Sequence, residues 1–110
     1  MYKGEFMIEL VRNTKGYDIK FILTDEKNNS VNLTDSTILF KMKNISTGAS
    51  ISGSGWVCSI INASAGICKY NFQDGDLSTA GNYYAELQIT YPSGEVRISK
   101  LDNIKILEDL

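Results

Sequence analysis

Apolar and polar residues alternate along most of the chain, most clearly between residues 82 and 91. Tyr83, Ala85, Leu87, Ile89 and Tyr91 fall on one side, and Asn82, Tyr84, Glu86, Gln88 and Thr90 on the other. A period of two over ten residues predicts a strand with one buried face. The residues just before it read as an entry corner. Asp76 is placed to cap a single turn, Leu77 to plug that turn into the core, and Gly81 to let the chain bend into the strand.

The same pattern recurs upstream. Residues 6–11 form a short apolar run that suits a first strand, at a sheet edge or shared with a partner. Residues 17–24 predict a strand with Tyr17, Ile19, Phe21 and Leu23 inward and Ile22 outward. Asp25 to Ser30 is a polar hairpin tip, and Val31 and Leu33 anchor its return. Residues 37–44 alternate again, with Ile38, Phe40 and Met42 inward and Leu39 on the side of the lysines. Residues 56–62 and 67–72 read as a hairpin whose inner face carries Trp56, Cys58, Ile60, Cys68, Tyr70 and Phe72. Pro92 and Gly94 suit a turn, after which Val96 and Ile98 are expected on the face of Ile89 and Leu87. Residues 103–108 make a last strand. Eight or nine strands at spacings of about 8–12 residues, with no helix longer than one turn, predict an all-β antiparallel sandwich. The expected core holds Phe21, Phe40, Trp56, Ile60, Leu87, Ile89 and Ile98. Tyr83 stands where immunoglobulin-like sandwiches place a corner tyrosine, whose hydroxyl bonds back to the preceding backbone. Ala85 occupies the place of the cysteine that follows it in antibody domains, so no inter-sheet disulfide is expected there.

Composition narrows the function more than the fold. The chain has 110 residues, enough for one domain spanning 1–110. Its net charge is −2 with the two signs interspersed, so no basic stripe suggests nucleic acid. No apolar run approaches the length of a membrane helix, and the amino terminus lacks the apolar region of a signal peptide. Cys58 and Cys68 read as two reduced core thiols that are diagonal neighbours across the hairpin.

Candidate chemistry is sparse. The sequence contains no histidine, which removes the commonest general base and the commonest metal ligand. Asp74-Gly75-Asp76 is a fragment of a calcium loop without the remaining ligands. Asn28, Asn32, Asn44 and Asn62 head glycosylation-type tripeptides, read here as turn and strand-edge composition. No catalytic, cofactor-binding or metal-binding residue is assigned, and the chain is expected to be a non-enzyme. Where alternation breaks, Ile22, Leu39 and Tyr84 are apolar on outward faces. They become candidates for an interaction surface if their strands share a sheet.

Three segments in order carry a family likeness. Residues 16–42 open on Gly-Tyr-Asp-Ile-Lys-Phe-Ile-Leu-Thr-Asp. Residues 63–70 read Ala-Ser-Ala-Gly-Ile-Cys-Lys-Tyr, and residues 81–98 begin Gly-Asn-Tyr-Tyr-Ala-Glu-Leu. Together they resemble the immunoglobulin-like amino-terminal domain of baseplate upper proteins, tail proteins of bacteriophages that infect Gram-positive bacteria. The resemblance implies a non-catalytic structural module that docks to other tail or baseplate proteins. Its expected place is the virion tail, or the host cytoplasm during assembly. Self-association is a further expectation, and neither nucleic acid nor membrane is an expected partner. The sequence ends at Leu110 with no coiled coil or receptor-binding part, which fits either an excised domain or a stand-alone accessory. The rival reading is an adhesin-type or carbohydrate-binding sandwich at a cell surface.

Overall fold

The structure is a computed structural model that describes residues 8–101 and 103–109. Nine strands are present among them: β1 (Ile8–Val11), β2 (Asp18–Ile22), β3 (Thr37–Asn44), β4 (Trp56–Val57), β5 (Ser59–Asn62), β6 (Ile67–Asn71), β7 (Gly81–Thr90), β8 (Val96–Lys100) and β9 (Ile104–Leu107). Phe6 and Met7, part of the expected first strand, lie outside the described residues. The strands form two sheets. The larger runs β1-β9-β7-β3-β4 with β8 also on β7, and the smaller runs β2-β6-β5. All pairings are antiparallel except β1 with β9, which is parallel.

The ten-residue β7 is the spine of the larger sheet. β3 covers one of its edges from Thr37 opposite Thr90 to Asn44 opposite Tyr83. The other edge is shared: β9 pairs with residues 81–83 and β8 with residues 86–90. The Leu101 amide closes the gap between them by donating to the Ala85 carbonyl at 2.9 Å.

Residues 56–62, expected as one strand, divide between the sheets. Trp56 and Val57 pair with Phe40 and Leu39 of β3. The Cys58 amide donates to the Ile38 carbonyl, and from Ser59 the chain pairs with β6 instead. A strand that changes sheet makes a corner of the sandwich. It also brings Trp56 across the interior, where its ring stacks on Tyr70 with centroids 5.0 Å apart and planes 4° apart. Phe40 stands at the centre of this cluster, edge-on to Phe21, Trp56, Tyr70 and Phe72 at 5.2–6.1 Å. Such pairs add roughly 0.5–1.5 kcal/mol each beyond area burial. The cluster holds the two sheets together without a disulfide, and Cys58 and Cys68 are buried and free.

Phe21, Phe40, Leu87 and Ile89 are fully buried, as the alternation requires, and Trp56 packs half-buried against them. Four inward assignments are corrected. Ile98 is 57% exposed, and Val96 is exposed with it. The Tyr91 amide donates to the Glu95 carbonyl, closing a three-residue loop with Gly94 at φ 90°. That loop sets Ile98 opposite Gln88 and Ser99 opposite Leu87. A one-residue shift of register moves every side chain to the other face. Ile60 pairs with Cys68, but β5 is an edge strand, so Ile60 stays 37% exposed. Tyr17 precedes β2 and is exposed; its carbonyl accepts from the Phe72 amide at 2.9 Å.

The hairpin register also carries a bulge, Ile60 facing Cys68 and Asn62 facing Ile67. Gly66 sits beside it at φ 71°, and a Cβ there would lie 2.5 Å from the Leu23 carbonyl oxygen. Only glycine allows β6 to begin so close to the strand it joins.

Candidate interaction surface

The entry corner is assembled around Tyr83, which is fully buried and donates its hydroxyl to the Thr79 carbonyl at 2.8 Å. Leu77 is fully buried beneath the turn, and its carbonyl accepts from the Asn13 amide at 2.8 Å. Gly81 has φ 148°, and a Cβ there would press on the Asn44 side chain. Asp76 acts differently from a simple helix-style cap. Its carboxylate reaches back to accept from the Gln73 amide at 2.8 Å and from the Tyr70 hydroxyl. Burial, with that hydrogen bond to Asp76, pushes the Tyr70 hydroxyl far above its ordinary pKa. Asp76 thereby ties the corner to the aromatic cluster. These residues build the scaffold of the corner.

The three outward apolar candidates do not lie together. Tyr84 and Ile22 are 55% and 53% exposed, and Leu39 is half-buried. Ile22 belongs to β2, in the smaller sheet, where it stands opposite Ile67. Leu39 and Tyr84 share the outer face of the larger sheet. Leu39 pairs with Gln88 and Lys43 pairs with Tyr84, so the two candidates are offset by four residues, or about 13 Å along the strands. The expected single patch of three is therefore replaced by two separate faces. Gly55 accounts for the burial of Leu39, since a Cβ there would come within 2.9 Å of the Leu39 Cβ.

Register divides the outer face of the larger sheet into two ends. One cross-strand row runs Val57, Leu39, Gln88, Ile98, and Thr90 with Val96 stands beside it. This end is apolar, because Val57, Val96 and Ile98 are all exposed. The next row runs Lys41, Glu86, Lys100, and beyond it lie Lys43 and Tyr84. Lys41 leans toward the first row, its Nζ donating to Gln88 Oε1 at 2.8 Å. The charged end is concave. A trough of about 710 Å³ opens there, between Ser50 and Gly53 on one side and Leu101 and Asn103 on the other. The contributions of Val57, Val96 and Ile98 were missed in the sequence, because β4 is only two residues long and the parity of β8 depends on its turn. The alternating Lys41 and Lys43 were visible, whereas their alignment with Lys100 depends on pairing through β7.

Side-chain chemistry elsewhere is structural. The Asn32, Asn44 and Asn62 side chains accept backbone amides two or three residues ahead, so these tripeptides are turn-formers in the fold. The hydrogen bond with the Cys68 sulfur, reinforced by burial, raises the Cys58 thiol and keeps it protonated.

Two stacked sheets, a sheet-switching strand and a tyrosine corner define the class: an immunoglobulin-like β-sandwich. The chain belongs to the family of BppU N-terminal domains, the amino-terminal domains of baseplate upper proteins, which it matches over residues 10–104. Membership places it among structural components of the bacteriophage baseplate, in the tail of the virion. Among solved structures, CopC from Methylosinus trichosporium OB3b superposes with a TM-score of 0.56 at 12% identity, covering 94% of this chain and 86% of that one. At that identity the likeness is one of fold. No curated protein matches the sequence.

Proposed function

We propose that the protein is a non-catalytic docking module of the baseplate, which binds other tail proteins through its outer sheet faces. Membership of the baseplate upper protein family over residues 10–104 carries this reading. The exposed Val57, Val96 and Ile98, flanked by half-buried Leu39, supply a docking area on the larger sheet. Ile22 supplies a second on the smaller sheet. Apolar side chains grouped on a flat β surface are the usual centre of a protein interface, with charged residues at the rim.

The test is co-purification with the tail proteins encoded alongside it, followed by sedimentation of the purified pair. Wild type is expected to form a defined complex. The variant Val57→Lys with Ile98→Lys is expected to lose it, and Ile22→Lys reports separately on the smaller sheet. A wild type that binds none of these proteins at high concentration refutes the docking reading.

A further inference from the structure

The docking reading leaves open what chemistry the partner presents, and the trough on the larger sheet bears on that. Its described lining carries Lys41, Lys43 and Lys100 against the single carboxylate of Glu86. Three ammonium groups against one carboxylate leave an excess of two positive charges, in a chain whose net charge is −2. The lysines are gathered by register. Lys41 and Lys100 flank Glu86 on neighbouring strands, and Lys43 is directly opposite Tyr84. Lys41 is held by Gln88, whereas no described carboxylate lies within ion-pair distance of Lys43 or Lys100. Tyr84 is more than half exposed within the same concavity.

Lys41 and Lys43 lie two residues, or about 7 Å, apart on β3, and Lys100 stands two strands, or about 10 Å, from Lys41 with Glu86 between them, so the three like charges repel within about a Debye length of one another. A concave wall limits the water that would screen them, so an opposite charge placed there interacts more strongly than on an open surface. An exposed aromatic ring beside that charge offers apolar contact to the carbon chain of a docking residue, a common arrangement at interface anchors.

We infer that this trough receives a short acidic segment of a neighbouring baseplate protein, with carboxylates between Lys43 and Lys100 and an apolar group against Tyr84. The inference rests on the docking reading and adds the chemistry of the partner. A long polyanion fits less well, because the protein as a whole repels negative charge and the excess is confined to one bounded concavity. Complementary charge gives such docking its register and its selectivity against wrong partners.

The experiment compares wild type, Lys43→Glu with Lys100→Glu, and Lys15→Glu with Lys20→Glu. The last pair makes the same change of net charge away from the trough. Melting curves first establish that all three are folded. Each is titrated with the purified tail partner, with a fluorescein-labelled oligoglutamate peptide, and with inorganic polyphosphate. The inference expects wild type to bind partner and oligoglutamate, more weakly as salt rises. The Lys43/Lys100 variant should lose about tenfold or more on both, and the Lys15/Lys20 variant should match wild type. Equal partner binding by wild type and the Lys43/Lys100 variant overturns the trough and leaves the docking reading standing. Absence of any wild-type complex overturns the docking reading and the trough with it. Polyphosphate bound in preference to oligoglutamate overturns the protein partner. Self-association that only the Lys43/Lys100 change abolishes also overturns it, in favour of a second copy of this chain.

Discussion

The Tyr83 hydroxyl reaches back four residues to the Thr79 carbonyl at 2.8 Å, from a ring with no exposed surface. The bond fixes the angle at which the chain leaves the turn over Leu77 and enters β7. Since β3, β8 and β9 all pair with β7, that angle orients most of the larger sheet.

Tyr83→Phe is accordingly expected to destabilise the fold by about 1–2 kcal/mol in denaturant unfolding. That is the worth of one intramolecular hydrogen bond together with incomplete rehydration of its former acceptor. Tyr84→Phe, one residue on and facing outward, is expected to change stability by less than about 0.5 kcal/mol. Equal small losses for both would remove the corner from the account.

Gly66 offers a sharper backbone test. An added methyl would meet the Leu23 and Val31 carbonyl oxygens at 2.5 and 2.9 Å, and the residue sits at φ 71°. Gly75 also has positive φ, at 88°, but nothing lies within 4 Å of the position a Cβ would take. Gly75→Ala is expected to cost about 1 kcal/mol, the penalty of the left-handed conformation alone. Gly66→Ala adds displacement of two backbone segments and is expected to cost clearly more. Chemical denaturation of the two variants side by side makes the comparison.

The cysteines are predicted to behave as buried hydrophobes. Both are buried, and the Cys58 thiol is held in its protonated form by the neighbouring sulfur and by burial. A reagent must reach the sulfur, and both are shielded from solvent, so native protein is expected to react slowly with a thiol reagent and to show two thiols after denaturation. Reductant should leave the unfolding midpoint unchanged. A midpoint that falls in reductant would reveal a disulfide.

Acid should weaken the tie between the first strand and the chain end. Arg12 donates from Nε and Nη2 to Asp109 Oδ1 at 2.8 and 2.6 Å, and Asn13 donates to Asp109 Oδ2 at 3.1 Å. These hydrogen bonds, the one from Arg12 foremost, hold the Asp109 carboxyl below its ordinary value of 3.8. Asp18 is lowered in the same way, by Asn71 first and then Lys69. A carboxyl lowered by folding contributes stability above its unfolded pKa, and that contribution is lost as pH falls through the folded one. Melting temperature is therefore expected to hold from neutral pH to about 4 and to fall below it. Asp109→Asn should show a shallower fall. Asp18 is exposed and Asp109 only half-buried, so each contribution is small.

The sequence by itself determined the strands, the corner and the family. Alternation is a local property, and β2, β3, β6, β7 and β9 each bury every second side chain as their own residues require. Tyr83 was legible because its partner lies only four residues away. Tyr84 and Leu39 were legible as outward residues for the same local reason. Tertiary structure alone decided which strands share a sheet. Nothing in residues 17–24 says that β2 pairs with β6 and not with β3, yet that pairing puts Ile22 on the face opposite Tyr84. Nothing within β8 sets its parity either. One residue in the 91–95 turn exposes Ile98 and buries Ser99. The trough arises the same way: Lys41 and Lys100 are 59 positions apart and meet only because both strands pair with β7 at Glu86. Side-chain alternation is written into each segment, whereas pairing and register are chosen by the packing of all segments at once. Which side chains share the outer face of each sheet depends on that choice.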